Sequence, residues 1–163
     1  TFIDIEASGL GRDSFPIEVG WNDPDGSVTK RLVKPVAEWI SWDPEAERIH
    51  GITREELAAE GISPAELCSL IRGSLLGKDA YSDAPEFERF WLNRLFMAGE
   101  GGDSPVLVRG VSNIPEIRAI CYEHGRYDQL KQEAVAEVGA THRADADVRV
   151  LMALYRRATD SLP

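Results

Sequence analysis

A chain of 163 residues is long enough for one domain with a sizeable hydrophobic core, so we expect a single domain over residues 1–163. The apolar fraction is 43%, and no apolar run approaches the roughly 20 residues needed to cross a bilayer, which disfavours an integral membrane protein. The net charge of −10 disfavours binding of long duplex nucleic acid through a broad basic surface. Because Thr1 leads into a strand pattern rather than a secretory leader, a cytoplasmic location is expected.

Three strand patterns occupy the N-terminal part of the chain, at residues 2–5, 15–21 and 28–33. The turn sequence Asn-Asp-Pro-Asp-Gly joins the second pattern to the third, which predicts a three-stranded meander. Short helices are predicted next, because Asp43 precedes a proline and because Thr53 and Ser63 each begin a capping box.

The second half of the chain alternates strands with helices. Strands are predicted at residues 79–82 and 106–108, and helices at 85–98, 114–122, 127–138 and 146–158. Glycines at residues 99–102 and at 139 are predicted to end two of these helices. The order of elements predicts an α/β protein with a ribonuclease-H-like fold, in which helices flank a central mixed five-stranded sheet.

Two acidic residues, Asp4 and Glu6, interrupt the first apolar strand pattern. Residues two positions apart on a strand share a face, so the two carboxylates are expected side by side. At about 4 Å, with an effective dielectric near 20, their repulsion is about 4 kcal/mol. A cation bound between them would relieve this repulsion, and an exposed strand face is the alternative interpretation.

Asp83 follows the fourth strand pattern and precedes the helix that begins near Pro85. This position is typical of a helix N-cap, and it also lies at a strand end from which a carboxylate could reach Asp4 and Glu6. Ser82 is an alternative cap, which would leave Asp83 free for the second role.

His142 and Asp147 lie at the start of the last predicted helix. An imidazole just before a helix and a carboxylate in its first turns can converge on one side of a groove. Asp145 is set aside because, two positions from Asp147 on a helix, it faces elsewhere. His50 and His124 each end a helix before a glycine and are interpreted as structural residues.

Together and in this order, these residues resemble the DEDDh family of 3′–5′ exonucleases. That family includes the proofreading epsilon subunit of bacterial DNA polymerase, RNase T and oligoribonuclease. The first motif, D-x-E, matches Asp4 and Glu6, the second matches Asp83, and the third, H-x-A-x-x-D, matches His142, Ala144 and Asp147. The similarity covers almost the whole chain and includes a His-Gly-Ile-Thr segment at residues 50–53.

The resemblance implies a mechanism. Asp4, Glu6, Asp83 and Asp147 would hold two Mg²⁺ or Mn²⁺ ions, which as hard cations prefer oxygen ligands. One ion would activate water and the other would stabilise the leaving 3′-oxygen. His142 would be the general base, a role worth about 10²–10⁴ in rate. The product would be a nucleoside 5′-monophosphate.

The resemblance also implies that the segment Ala7, Ser8, Gly9 and Leu10 meets the terminal nucleotide of the substrate. Family members often have two threonines where this chain has Ala7 and Ser8, so contacts to ribose are in doubt. The choice between RNA and DNA therefore stays open.

The acidic composition favours short single strands or accessible 3′ ends as substrates, because the surface has few cations to neutralise phosphates. Two other functions stay open, a catalytically silent module that binds nucleic acid or a partner, and an endonuclease of ribonuclease-H type. Two further sets of residues are predicted to be buried. They are the helically spaced aromatics Phe87, Phe90 and Trp91, for which a stacking surface is the alternative, and the free thiols Cys68 and Cys121.

Overall fold

The computed structural model describes residues 1–139 and 142–162 and has five strands. These are β1 (Ile3–Ala7), β2 (Pro16–Asn22), β3 (Val28–Leu32), β4 (Asp79–Ser82) and β5 (Leu107–Gly110). The first three form an antiparallel meander, and β4 pairs with β5 in parallel. A parallel bridge between Phe2 and Tyr81 connects the two parts into one mixed sheet, in the order β3-β2-β1-β4-β5. The predicted fold class is confirmed.

Seven α-helices are present in the described ranges. They are α1 (Pro44–His50), α2 (Arg54–Glu60), α3 (Pro64–Leu75), α4 (Pro85–Glu100), α5 (Pro115–Ile117), α6 (Tyr127–Val138) and α7 (Ala144–Asp160). The predicted caps form, since the side chains of Asp43, Thr53 and Ser63 accept backbone N–H groups at 2.9, 3.1 and 3.3 Å. No helix of the described residues is long and apolar enough to cross a membrane.

Two helix predictions differ from the structure. Helix α4 runs through Gly99 and ends only at Gly101, which has a left-handed conformation. Gly99 serves close packing instead, because a Cβ there would lie 2.8 Å from the Pro64 backbone of α3. The single helix predicted at 114–122 is a 3₁₀ turn (Val111–Asn113), then α5, then a π-helical turn (Arg118–Glu123).

The two faces of the sheet carry different helices. Alternation along β1 buries Ile3 and Ile5 in the same hydrophobic cluster as residues of α3 and α4, while Asp4 and Glu6 point to the opposite face. Helix α7 contacts β1, β2 and β3. The acidic residues of β1 therefore lie on the face that α7 covers.

The predicted core is only partly confirmed. Trp91 is buried and its indole N–H donates to the Ser14 hydroxyl at 3.0 Å, but Phe87 and Phe90 are 43% and 36% exposed. The prediction for these two residues was wrong because they lie on the outer side of α4, beyond the packed face that holds Trp91. Cys68 and Cys121 are buried free thiols, as predicted. The prediction of a helix was therefore correct, but the face of α4 that is buried is narrower than the spacing of its aromatic residues predicted.

Gly20 of β2 sets how closely α7 approaches the sheet. A Cβ at this position would lie 2.7 Å from the backbone carbonyl carbon of Ala144, at the start of α7. Any larger residue would push α7 outward, together with the predicted site residue Asp147 that this helix carries.

We predict that Gly20→Ala destabilises the protein by about 1–3 kcal/mol, because the extra methyl group overpacks the contact with α7. Denaturant unfolding of the purified protein measures this. Gly73→Ala is the matched control, since nothing lies within 4 Å of its added Cβ and the helix α3 gains propensity. Equal stability of the two variants would contradict the proposed role of Gly20.

Candidate metal centre and active-site cleft

Three predicted site residues converge in space. Asp4 and Glu6 come from β1 and Asp147 from the first turn of α7, and one carboxylate oxygen of each lies within 4.8 Å of the others. They line a cavity of about 500 Å³ whose wall also includes His142 and Asp83. The cavity therefore brings together all five residues that the three motifs supply.

Burial and mutual repulsion perturb the acidic residues. Burial, together with the charge of Asp147, raises the pKa of Asp4 well above its usual range and that of Glu6 to about 8. Burial also raises the pKa of Asp147. None of the ion pairs in the described ranges includes these three carboxylates. The three carboxylates thus lie together without an ion-pair partner among the described residues.

Asp83 lies at the mouth of the cleft rather than in the group of three. Its carboxylate forms an ion pair with Lys131 of α6. It does not cap α4, because the hydroxyl of Ser82 accepts the N–H of Ala84 at 3.0 Å and Ala84 is the N-cap residue. Asp83 is therefore free of the capping role, and Lys131, which also lines the cleft, is its ion-pair partner.

His142 is exposed and lines the same cleft, next to Asp147, whose pKa its charge lowers. It has φ of 52°, and it is the one residue other than glycine with a positive φ in the described ranges. Asp145 faces away from the cleft and pairs with Lys30 at 2.8 Å. His50 is buried outside the cleft, where its Nδ1 accepts a backbone N–H at 3.0 Å.

A buried ion pair that the sequence did not reveal holds the start of α7. Glu18 of β2 is fully buried and accepts two hydrogen bonds from Arg143, with Nη2 to Oε1 at 2.5 Å and Nε to Oε2 at 3.1 Å. It also accepts the N–H of Ala144 at 2.9 Å. Because Arg143 is the N-cap residue of α7, this pair positions both His142 and Asp147.

Glu88 is a second residue that sequence reasoning missed. It lies in the first turn of α4, lines the cleft and is only 2% exposed, and burial raises its pKa to about 8. No spacing pattern distinguished it in the sequence, because acidic residues are common in the first turn of a helix.

The segment predicted to meet a nucleotide divides into a buried and an exposed part. Ala7, Ser8 and Gly9 are buried, and the Ser8 hydroxyl accepts the N–H of Phe15 at 3.1 Å. Leu10 is 75% exposed and lines the cleft beside Phe87. Leu10 and Phe87, together with Val135 of α6, are therefore exposed apolar side chains that line the cleft.

No protein-family model matches this chain, and no curated protein matches its sequence. Solved structures do match its fold. Exonuclease I of E. coli in complex with a 5cy-dT13 oligonucleotide has a TM-score of 0.70 at 18% identity, over 99% of this chain and 40% of that one. A moderately thermophilic exonuclease I from Methylocaldum szegediense has a TM-score of 0.69 at 18% identity, over 98% of this chain and 40% of that one. The chain thus has the fold of an exonuclease and spans about two fifths of these proteins.

The raised pKa values predict how the metal-free protein responds to pH. Folded carboxyls with raised pKa values retain protons that the unfolded chain has already lost, so stability falls as pH rises from about 4.5 to about 8, the two values for Glu6. Thermal unfolding in EDTA across this range measures the effect. Stability that rises over the whole range would contradict it.

Asp4→Asn removes one of the repelling charges, so we predict that it stabilises the metal-free protein near the upper end of this range. The gain should shrink as the pH falls, because the raised pKa of Asp4 keeps its folded carboxyl protonated to a higher pH than the unfolded one. Unfolding of wild type and variant in parallel tests this, and Asp25→Asn, in an exposed turn, is the control.

Proposed function

We propose that this chain is a metal-dependent 3′–5′ exonuclease domain that releases nucleoside 5′-monophosphates. The observation that carries the proposal is the convergence of Asp4, Glu6 and Asp147 in one cleft without a cationic partner. Folded proteins rarely bury several carboxylates together for structural reasons alone, because the charged forms repel each other and lose their hydration. The exonuclease fold supports the same conclusion independently.

The ligand set fits Mg²⁺ or Mn²⁺, because all the converging donors are carboxylate oxygens and neither thiol nor imidazole belongs to the group. Asp4, Glu6 and Asp147 would hold the ions, and Asp83 would contribute from the mouth of the cleft. Two bound ions would supply Lewis-acid activation at the scissile phosphate and neutralise the developing negative charge. Their charge of +4 would also relieve the repulsion among the ligands.

His142 is proposed to take the proton of the attacking water. It is exposed on the cleft wall beside Asp147, so a water at the scissile phosphate is within its reach. The ion pair of Glu18 with Arg143 fixes the backbone next to His142. This restricts the positions that the imidazole can take. Lys131 faces the same space and would contact a phosphate once a cation competes for Asp83.

Single-stranded nucleic acid is the proposed substrate. Leu10 and Phe87 form an apolar surface at the mouth of the cleft that suits an unpaired terminal base, and base stacking on an aromatic side chain is worth about 1–3 kcal/mol. Two matching structures of E. coli exonuclease I contain dA16 and dT13 oligonucleotides, which supports single-stranded DNA. RNA is the alternative substrate. The Ser8 hydroxyl is buried and engaged by the N–H of Phe15, so it does not distinguish ribose from deoxyribose.

The first functional prediction is metal-dependent shortening from the 3′ end. With Mg²⁺ or Mn²⁺, a 5′-labelled single strand should give a ladder that shortens progressively, and EDTA should abolish it. Matched DNA and RNA strands in the same assay decide the sugar preference. Internal fragments would indicate an endonuclease, and an intact substrate would indicate a module that only binds.

Asp4→Asn and Asp83→Ala are predicted to abolish shortening while leaving the fold intact. Asp145→Asn is the matched control, because this residue is also acidic and near the start of α7 but pairs with Lys30 outside the cleft. Circular dichroism and thermal unfolding check the fold of each variant. Full activity of Asp83→Ala would remove Asp83 from the site.

His142→Ala is predicted to lower turnover by about 10²–10⁴, since it removes the proposed general base. Mn²⁺ affinity measured by calorimetric titration should change little, because a general base is not a metal ligand. A variant that loses its metal together with its activity would make His142 a ligand instead.

Binding should depend only weakly on salt, because the surface has few cations to replace counterions. Arg143 and Arg109 are already paired with Glu18 and Asp79. We predict that the protein neutralises about one to three phosphates. Each of them contributes about 0.7 to the steepness with which log affinity falls against log salt. Fluorescence anisotropy of Asp4→Asn with Ca²⁺ and strands of increasing length measures it. A slope that grows steadily with length would reveal an extended binding track.

A further inference from the structure

Glu88 is a buried acidic side chain with one unused oxygen. It is 2% exposed, and its Oε2 atom is buried without any hydrogen-bond partner. None of the ion pairs found in residues 1–139 and 142–162 includes it. Burial of a carboxyl group without a hydrogen-bond partner costs free energy, so each such group in a folded protein calls for an explanation. One explanation is a ligand that binds to this group.

Glu88 is buried in the wall of the cleft. The hydroxyl of Ser82, at the end of β4, is close enough to Glu88 to lower the pKa of its carboxyl, and it accepts the N–H of Ala84 at 3.0 Å. Ser82 is itself fully buried, so both side chains lie inside the protein at the end of β4. Glu88 forms part of the cleft wall together with Asp4 and Glu6. The side chain of Glu88 therefore lies beside the cavity, next to the group of Asp4, Glu6 and Asp147, whose carboxylate oxygens lie within 4.8 Å of one another.

Charge effects separate Glu88 from Asp83. The charge of Glu88 raises the pKa of both Asp4 and Glu6, and for Asp4 its effect exceeds that of Asp83. Asp83 also raises the pKa of Asp147, and it is paired with Lys131. Glu88 is 2% exposed whereas Asp83 is exposed, so Glu88 is the more enclosed of the two carboxyl groups.

We propose that Glu88 is a further carboxylate of the divalent-cation site, which supplies its free oxygen to an ion held by Asp4, Glu6 and Asp147. This inference rests on the proposed metal-dependent function. It makes Glu88 the inner carboxylate at the start of α4 and assigns Asp83, with Lys131, to the outer part of the cleft. The ion would stabilise a group that is otherwise buried without a partner.

Calorimetric titration of the metal-free protein with Mn²⁺ tests the assignment without measuring activity. Glu88→Gln keeps the size of the side chain and the contact with Ser82 but removes the negative charge. It should weaken Mn²⁺ binding by about 10–100-fold or remove one bound ion, the range seen when the surroundings of metal ligands are changed. Glu86→Gln is the matched control on the same helix, because Glu86 is 89% exposed, and it should bind Mn²⁺ as the wild type does.

The outcomes separate this inference from the proposed function. Wild-type protein that binds no Mn²⁺ overturns both. Wild-type binding that Glu88→Gln leaves unchanged overturns only the role of Glu88. If Glu88→Gln does not unfold cooperatively, Glu88→Asp decides, since it keeps the charge but withdraws the oxygen by one methylene group. Weaker Mn²⁺ binding by Glu88→Asp supports the assignment, and unchanged binding overturns it.

Discussion

The buried pair between Glu18 and Arg143 is the interaction on which the site depends. Glu18 is in the middle of β2, and Arg143 begins the helix that carries Asp147. A buried carboxylate is tolerated only with full compensation, and Glu18 has it from the guanidinium group and the N–H of Ala144. Gly20, two residues along the same strand face, admits the backbone of α7 at close range. Charge and close packing together therefore fix α7 on the sheet.

The same pair explains why the neighbouring acids are left without partners. Glu6 lies directly opposite Glu18 in the antiparallel register of β1 and β2. Arg143 lowers the pKa of Glu6, but its hydrogen bonds go to Glu18. Lys131 is likewise occupied by Asp83. With both nearby cations engaged at the edges, the centre of the cluster stays negative and is suited to bind divalent ions.

The cluster of unpaired carboxylates lowers the stability of the metal-free protein, and metal binding, as proposed, would offset this loss. Burial and repulsion raise the pKa values of Asp4, Glu6 and Asp147, so the charged cluster opposes folding at neutral pH. A ligand that binds only the folded state offsets such a penalty by mass action. The metal-free fold would then depend on the packed hydrophobic clusters on both sides of the sheet.

Local features of this chain were determined by its sequence alone. The strands, the capped helices and the common face of Asp4 and Glu6 follow from periodicity and capping, which act within a few residues. Tertiary packing decided the rest, because it depends on residues far apart in the chain. It paired Glu18 with Arg143, buried Ser8, exposed Phe87 and placed Glu88 inside the cleft. No local pattern marks Glu88, since its environment comes from β1, β4 and α7, which meet only in the folded protein.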